Sequence, residues 1–166
     1  SEDVDEMEKM LNEYLQFTKT GAKERTIKFD IVNLVSEIIG KYNNPKIKFL
    51  ETDEIIFEGR KDLLKRCINN IIDNSLKYGK RIDINLKRLR KELVLKIEDD
   101  GPGIPESEIE NVLKPFYKID KSRSESKNSV GLGLSISSDI ARSHGGKLQL
   151  EKSNLGGLKV NIFLPL

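Results

Sequence analysis

The chain has 166 residues, 37% hydrophobic and 34% charged, the proportions of a well-solvated domain with room for one core and an appended element. Its 29 Lys+Arg against 27 Asp+Glu leave a formal charge of +2, too small to argue for a nucleic-acid partner. The single cysteine, Cys67, excludes an internal disulfide and a thiolate-only metal cage, and no apolar run approaches the roughly 20 residues of a membrane span. The first residues, Ser1-Glu2-Asp3-Val4-Asp5-Glu6, are acidic where a secretory signal would be basic. These features suggest a cytosolic-type domain, and a start inside a helical pattern suggests a piece of a longer chain.

Over residues 3–19, Val4, Met7, Leu11, Tyr14 and Thr18 recur at alternating spacings of three and four, flanked by Met10, Leu15 and Phe17. This predicts an amphipathic helix whose seam is that of a helical hairpin or coiled coil, unless the helix packs on its own domain. Thr20-Gly21-Ala22-Lys23 reads as a linker, with Gly21 ending the helix. Thr26-Ile27-Lys28-Phe29 alternates as a short strand. Asp30 then suits the N-cap of a helix whose apolar stripe is Ile31, Leu34, Val35, Ile38, Ile39 and Tyr42, broken by Asn43-Asn44-Pro45. Residues 47–50 and 55–57 predict two more short strands, and residues 60–78 the next helix.

That helix is the most informative one. At about 100° per residue, Asn70, Asn74 and Lys77 share one stripe. Leu64, Cys67, Ile68, Ile71, Ile72 and Ser75 form the neighbouring core face, with Tyr78 on the boundary. Exposed Asn weakens a helix and returns little, so two Asn one turn apart beside an apolar face suggest partly buried amides. They serve either a structural hydrogen-bond network or a ligand; an amide oxygen is a hard donor suited to Mg²⁺.

Gly79 ends the helix. Residues 81–86 and 93–97 alternate as two strands across a polar turn at 87–92. The second runs into Asp99-Asp100-Gly101-Pro102-Gly103-Ile104-Pro105, a sharp turn that leaves a carboxylate at the strand end, followed by a short helix over 105–112. Residues 114–130 are polar and patternless, a stretch of the kind that forms a functional lid. Gly131-Leu132-Gly133-Leu134 then opens a helix through Ile136, Ile140 and Ala141 that stops at His144-Gly145-Gly146. Glycines at a helix start leave N–H groups free to meet phosphate. Strands at 148–150 and 159–164 complete an α/β sandwich of one sheet with helices on one face.

Read together, the segments resemble the four signatures of the histidine-kinase ATP-binding domain of the GHKL, or Bergerat, superfamily. The N box is Asn70-Asn74 with its tail to Tyr78, the G1 box Asp99-Asp100-Gly101-Pro102-Gly103-Ile104, the F box Pro115-Phe116 and the G2 box Gly131-Leu132-Gly133-Leu134. The turn Glu98-Asp99-Asp100-Gly101-Pro102-Gly103-Ile104 is similar to that of EnvZ-type membrane sensor kinases. The resemblance implies a two-layer α/β sandwich with a mixed sheet and a mobile ATP lid over residues 26–166. It also makes residues 1–20 the end of the second helix of a dimerisation and phosphoacceptor hairpin, and residues 21–25 the linker.

The same resemblance assigns roles. Asp99 would accept a hydrogen bond from the adenine amino group, Gly101 and Gly103 would admit the base, and Ile104 and Tyr78 would line it. Asn74 would ligate Mg²⁺ between the phosphates, with Asn70 and Lys77 on the same catalytic stripe. Phe116, Lys118, Lys121 and Arg123 belong to the lid, its basic residues as phosphate contacts, and Gly131, Leu132, Gly133 and Leu134 would frame the phosphate and base edge. The cofactors are thus ATP and Mg²⁺. The γ-phosphoryl would pass to a histidine on the missing hairpin helix and then to an aspartate of a response regulator. The full protein would be a homodimer anchored in the inner membrane, whereas this chain, lacking half the hairpin interface, is not expected to dimerise by it. Its one histidine, His144, reads as a helix-terminal structural residue, so the chain should bind Mg-ATP without phosphorylating itself. Ser129-Val130 depart from the family's usual Gly-Ser/Thr before the G2 box, which bears on lid closure. Competing readings are an ATP-gated conformational module of the same superfamily and a degenerate scaffold without turnover.

Overall fold

Alternation of side chains along the strands builds one sheet with one apolar face. The computed structural model describes residues 2–21, 23–114 and 133–166. In chain order the elements are α1 (Glu2–Gly21), β1 (Ile27–Asp30), α2 (Ile31–Tyr42), β2 (Ile47–Phe49), β3 (Ile56–Gly59), α3 (Lys61–Tyr78), β4 (Ile82–Leu89), β5 (Glu92–Asp99), α4 (Gly133–Ser143), β6 (Lys147–Lys152) and β7 (Leu158–Pro165). Five strands form a mixed sheet in the order β2-β4-β5-β7-β6, with β2 parallel to β4 and the other pairs antiparallel.

The register aligns Phe49, Ile84, Ile97, Val160 and Leu150 in one row, and Leu86, Leu95, Ile162 and Leu148 in the next. These side chains join one core with the apolar faces of α2, α3 and α4. The alternate rows, such as Asn85-Lys96-Asn161-Gln149, lie on the other face, as period-2 alternation requires. The two-layer mixed α/β architecture is therefore as the sequence predicts.

Three local features differ. Strands β4 and β5 extend through the segment read as a six-residue polar turn and meet at Arg90-Lys91, with Arg90 at φ 53°. The exposed end of this hairpin has left the core, so its charged side chains hide the strand pattern. Second, β1 and β3 pair as a separate two-stranded sheet. The Asp30 carboxylate, besides capping α2 at Val32 N (3.0 Å), accepts the Ile55 amide at 3.1 Å, so the second strand starts one residue later than its apolar run. Third, the short helix over 105–112 is two 3₁₀ turns, Glu106–Glu108 and Asn111–Leu113. Only Val112 there is fully buried, and so short a segment without a longer apolar stripe does not propagate an α-helix.

Helices α3 and α4 are joined by reciprocal bonds. The Ser137 hydroxyl donates to Cys67 O at 2.8 Å, and Cys67 Sγ donates to Ser137 O at 3.6 Å. Complete burial pushes the Cys67 thiol up to about 12, so it stays protonated and packs as a small apolar group.

Helix α1 touches this fold at its C-terminal end. Tyr14 and Phe17 pack against the core and the Arg66 guanidinium lies 5.8 Å from the centre of the Phe17 ring, whereas Val4, Met7, Leu11 and Leu15 are 48–57% exposed. Beyond the helix, Glu24 does something the sequence does not announce. Its carboxylate accepts the Asp62 amide at 2.6 Å and the Leu63 amide at 3.0 Å, the first-turn N–H groups of α3, whose own N-cap residue Arg60 offers no side-chain cap. Glu24→Ala should therefore cost about 1 kcal/mol of stability and accelerate amide exchange at Asp62 and Leu63. Unchanged exchange at those two amides would show that the cap does not form in solution.

Candidate functional site

Asp99 has the same parity along β5 as Leu93, Leu95 and Ile97, so its carboxylate points to the core face, opposite Ile82. It is 3% exposed. A carboxylate there needs donors: Asp99 Oδ1 accepts the Gly101 amide at 2.9 Å and the Leu158 amide at 3.3 Å. Burial raises its pKa above the usual carboxylate value, while the Gly101 and Leu158 amides and, more weakly, the Ser75 hydroxyl favour the charged form. Ser75 Oγ is itself fully buried and, among the described residues, makes no hydrogen bond of good geometry. A buried hydroxyl with spare capacity beside a buried carboxylate is a polar end prepared for something outside the protein.

The surroundings of Asp99 are made narrow by glycine. A Cβ on Gly157 would collide with Asp99 Oδ1 and stand 2.5 Å from Asp99 O, so the tip of the β6–β7 hairpin closes directly on the carboxylate and donates Gly157 N to Asp99 O at 3.1 Å. Gly103, at φ +74°, has a backbone conformation that favours glycine, and a Cβ there would stand 3.3 Å from Gly157 O. Ile104 in the same turn and Tyr78 at the end of α3 are half-buried, and burial raises the Tyr78 phenol pKa.

Along α3 the predicted stripe is present. Asn74 is 8% exposed, Asn70 half-buried and Lys77 exposed. Among the described residues no side-chain hydrogen bond holds either Asn amide, so the structural network that would otherwise explain paired amides is missing there. No group of three or more His, Cys, Asp or Glu suited to a metal occurs among the described residues. The donor set thus fits a Mg²⁺ ion that keeps most of its ligands from water and a phosphate chain, not a resident metal held by the protein alone. Gly133 begins α4 with open space where a side chain would stand, whereas Leu134 is fully buried in the core, so its side chain is not free to frame a ligand. Phe116, Lys118, Lys121, Arg123, Gly131 and Leu132, with Ser129-Val130 and the predicted lid, lie outside the described residues. The sequence places Ser75 on the core face of its helix without a site role, and offers only the doublet Gly156-Gly157 as a sign of the Gly157 and Leu158 contacts.

Residues 59–166 match the family described as histidine kinase-, DNA gyrase B- and HSP90-like ATPases. The chain belongs to this ATPase family. Within it, the chain is 34% identical to the sensor histidine kinase GtrS of Pseudomonas aeruginosa over 98% of its own length and 34% of the relative's, and 27% identical to the sensor histidine kinase WalK of Bacillus subtilis over 98% and 29%. It spans about a third of the length of these curated relatives. Among solved structures, it is similar to the ATP binding domain of PrrB from Mycobacterium tuberculosis, at TM-score 0.69, 25% identity and coverage of 84% of this chain and 96% of that one. The histidine kinase domain of the E. coli osmosensor EnvZ gives TM-score 0.65 at 29% identity, with coverage of 84% and 88%. As in the expectation from the four boxes, the chain carries the ATP-binding fold of histidine kinase catalytic domains. No described helix is long and apolar enough to cross a membrane.

The one histidine of this ATPase domain is fully engaged. His144 Nε2 accepts the Arg60 amide at 3.0 Å, which fixes the proton on Nδ1, 2.9 Å from Ile140 O. The ring also lies against Gly59, where a Cβ would stand 2.9 Å from His144 Cδ2. Burial lowers the His144 pKa from its usual 6.5, so the fold prefers the neutral ring. The unfolded chain takes up a proton near 6.5 that the native chain refuses, so this contribution to stability is present above that pH and lost as pH falls through the lowered native value. In urea titrations, wild type should lose more stability between pH 7.5 and 5.5 than His144→Gln does. Equal losses would remove His144 as the cause.

Proposed function

We propose that this chain is the ATP-binding catalytic domain of a two-component sensor histidine kinase, and that residues 26–166 form this domain behind a hairpin-helix stub (1–20) and linker (21–25). The observation that carries the reading is the buried Asp99 carboxylate beside the buried Ser75 hydroxyl, facing a glycine-walled turn, with the Asn74 amide on the same helix as Ser75 and without a side-chain hydrogen bond among the described residues. Burial raises the Asp99 pKa, the Gly101 and Leu158 amides oppose that by favouring the carboxylate, and the carboxylate accepts from the adenine amino group, which selects adenine over guanine. Gly101 and Gly103 let the main chain approach the base; Ile104 and Tyr78 supply apolar walls.

Asn74 offers its amide oxygen to Mg²⁺, with Asn70 and Lys77 on the same stripe to orient and neutralise phosphate. When bound, Mg²⁺ supplies charge neutralisation at the transferring phosphoryl group. None of these named residues is an obvious nucleophile or general base, which suits phosphoryl transfer, where positioning and electrostatics supply most of the rate. Phe116, Lys118, Lys121, Arg123, Gly131 and Leu132 complete the phosphate end in this proposal. The acceptor is a histidine on the parent protein's hairpin, for which the exposed stripe of Val4, Met7 and Leu11 is the seam. A response-regulator aspartate is the next recipient, and the parent is a membrane-anchored homodimer. His144, with both ring nitrogens bonded, is not an acceptor.

Calorimetric titration should give Mg²⁺-dependent ATP binding with GTP inert, weakened on the order of a hundredfold in Asp99→Asn, as loss of a charge-assisted hydrogen bond implies. ATP binding that Asp99→Asn leaves intact would sink the adenine assignment. Asn74→Ala should abolish the Mg²⁺ dependence, and incubation with labelled Mg-ATP should leave the chain unphosphorylated. Label on His144 would reverse the reading of that residue.

A further inference from the structure

Where α3 ends, the chain must pass directly over the Asp99 turn. A Cβ on Gly79 would stand 2.9 Å from Asp99 Cβ and 3.2 Å from Asp100 Oδ1, and one on Gly101 would stand 2.8 Å from Tyr78 O. Two main-chain segments, 78–81 and 99–101, thus come together at two glycines, with no room for a side chain at either. Packing of that kind supplies contact but little to fix how one segment slides on the other.

Asp100 supplies the fixing. Its Oδ1 accepts the Lys80 amide at 2.7 Å and the Arg81 amide at 3.0 Å. The pair sits one step beyond Ile82↔Asp99, the last rung of the β4–β5 ladder, so the carboxylate continues the ladder by side chain where the backbone turns away. The Arg81 and Lys80 amides hold the Asp100 carboxyl below the usual carboxylate range. The Arg81 guanidinium is engaged elsewhere, in two bonds to Asp83 at 3.1 and 2.9 Å, so the tie runs through main chain and does not depend on a long flexible side chain.

We propose that Asp100 is a positioning residue for the nucleotide: its carboxylate clamps the end of α3 to the Asp99 turn and thereby sets the distance between the base-reading carboxylate and the Asn74–Lys77 stripe. This rests on the function proposed above. Asp100 is exposed and touches neither base nor phosphate in that reading; it acts through Asp99 on one side and Tyr78 on the other. An error of an ångström between two such recognition elements is enough to cost affinity and selectivity.

The test compares wild type, Asp100→Ala, Asp100→Asn and Asp99→Asn by titration with Mg-ATP and Mg-GTP, alongside amide exchange. Asp100→Ala should bind ATP about tenfold more weakly and discriminate less between ATP and GTP. Lys80 and Arg81 amides should exchange faster in it, while amides of the β5–β7 ladder stay protected. Asp100→Asn, which keeps the acceptor oxygen, should restore both affinity and protection. Wild-type ATP affinity in Asp100→Ala overturns the proposal. So does an affinity loss accompanied by faster exchange throughout β5 and β7, since that is general destabilisation, or one that Asn does not rescue. A wild type that binds no ATP, or an Asp99→Asn variant that binds as wild type does, instead refutes the nucleotide reading on which the clamp depends.

Discussion

A carboxylate kept inside an apolar sheet face is the constraint on which this domain is arranged. Leu93, Leu95 and Ile97 fill the core from β5, and the next residue of the same parity is Asp99. Removing that charge from water is costly unless donors surround it. The Gly101 and Leu158 amides must come to it, which fixes the turn after β5 and the start of β7 in one place. Glycine at 157 follows, because any side chain there would occupy the space of Asp99 itself. The hairpin tip carrying Gly157 is steadied in turn by Ser153, whose hydroxyl donates to Glu98 at 2.6 Å and accepts the Leu155 amide at 3.0 Å. The base-reading end of the proposed site is therefore also a knot of the fold.

The proposed phosphate-facing side is held differently. Helix α3 carries Asn70, Asn74 and Lys77 on one stripe and Leu63, Leu64, Cys67, Ile68, Ile71 and Ile72 in the core. Its rotation is set by that apolar face and by the reciprocal Cys67–Ser137 bonds to α4. On the opposite flank, Tyr42 donates to Asp73 at 2.7 Å and reaches Asn69 Oδ1 at 3.1 Å, so chain neighbours of Asn70 and Asn74 are tied to α2. The two amides are thus presented by a helix braced on two sides, while remaining without partners of their own among the described residues. Rigid supports around unsatisfied groups are the arrangement that binding sites need.

Much of this was legible in the residues because the relevant signals are local and periodic. The 3.6-residue period of α3 separates the Asn stripe from its apolar face, and Asp-x-Gly-x-Gly after an alternating strand marks a carboxylate at a strand end. What stayed hidden depends on contacts between distant segments. That Ser75 lies by Asp99 follows only once α3 is packed on β5, and that Gly157 closes on it only once β5 and β7 are paired. The β4–β5 hairpin looked shorter than it is, because residues at its exposed end are charged on both sides of the strand. The two 3₁₀ turns after Pro105 looked like a helix, because their start signals are those of a helix and only the lack of a buried stripe distinguishes them.

Glu24 changes where the fold physically begins. By sequence it belongs to a connecting segment, and the family match starts only at residue 59. By contact it is the cap of α3. A shortened chain that began at Thr26 would keep every strand and every core residue and still expose two amides at the N-terminus of the helix that carries the Asn pair. Properties measured on such an excised domain would then belong to an uncapped variant, and a difference from the longer chain would be mistaken for the influence of helix α1. The cut that leaves the domain whole lies on the N-terminal side of Glu24.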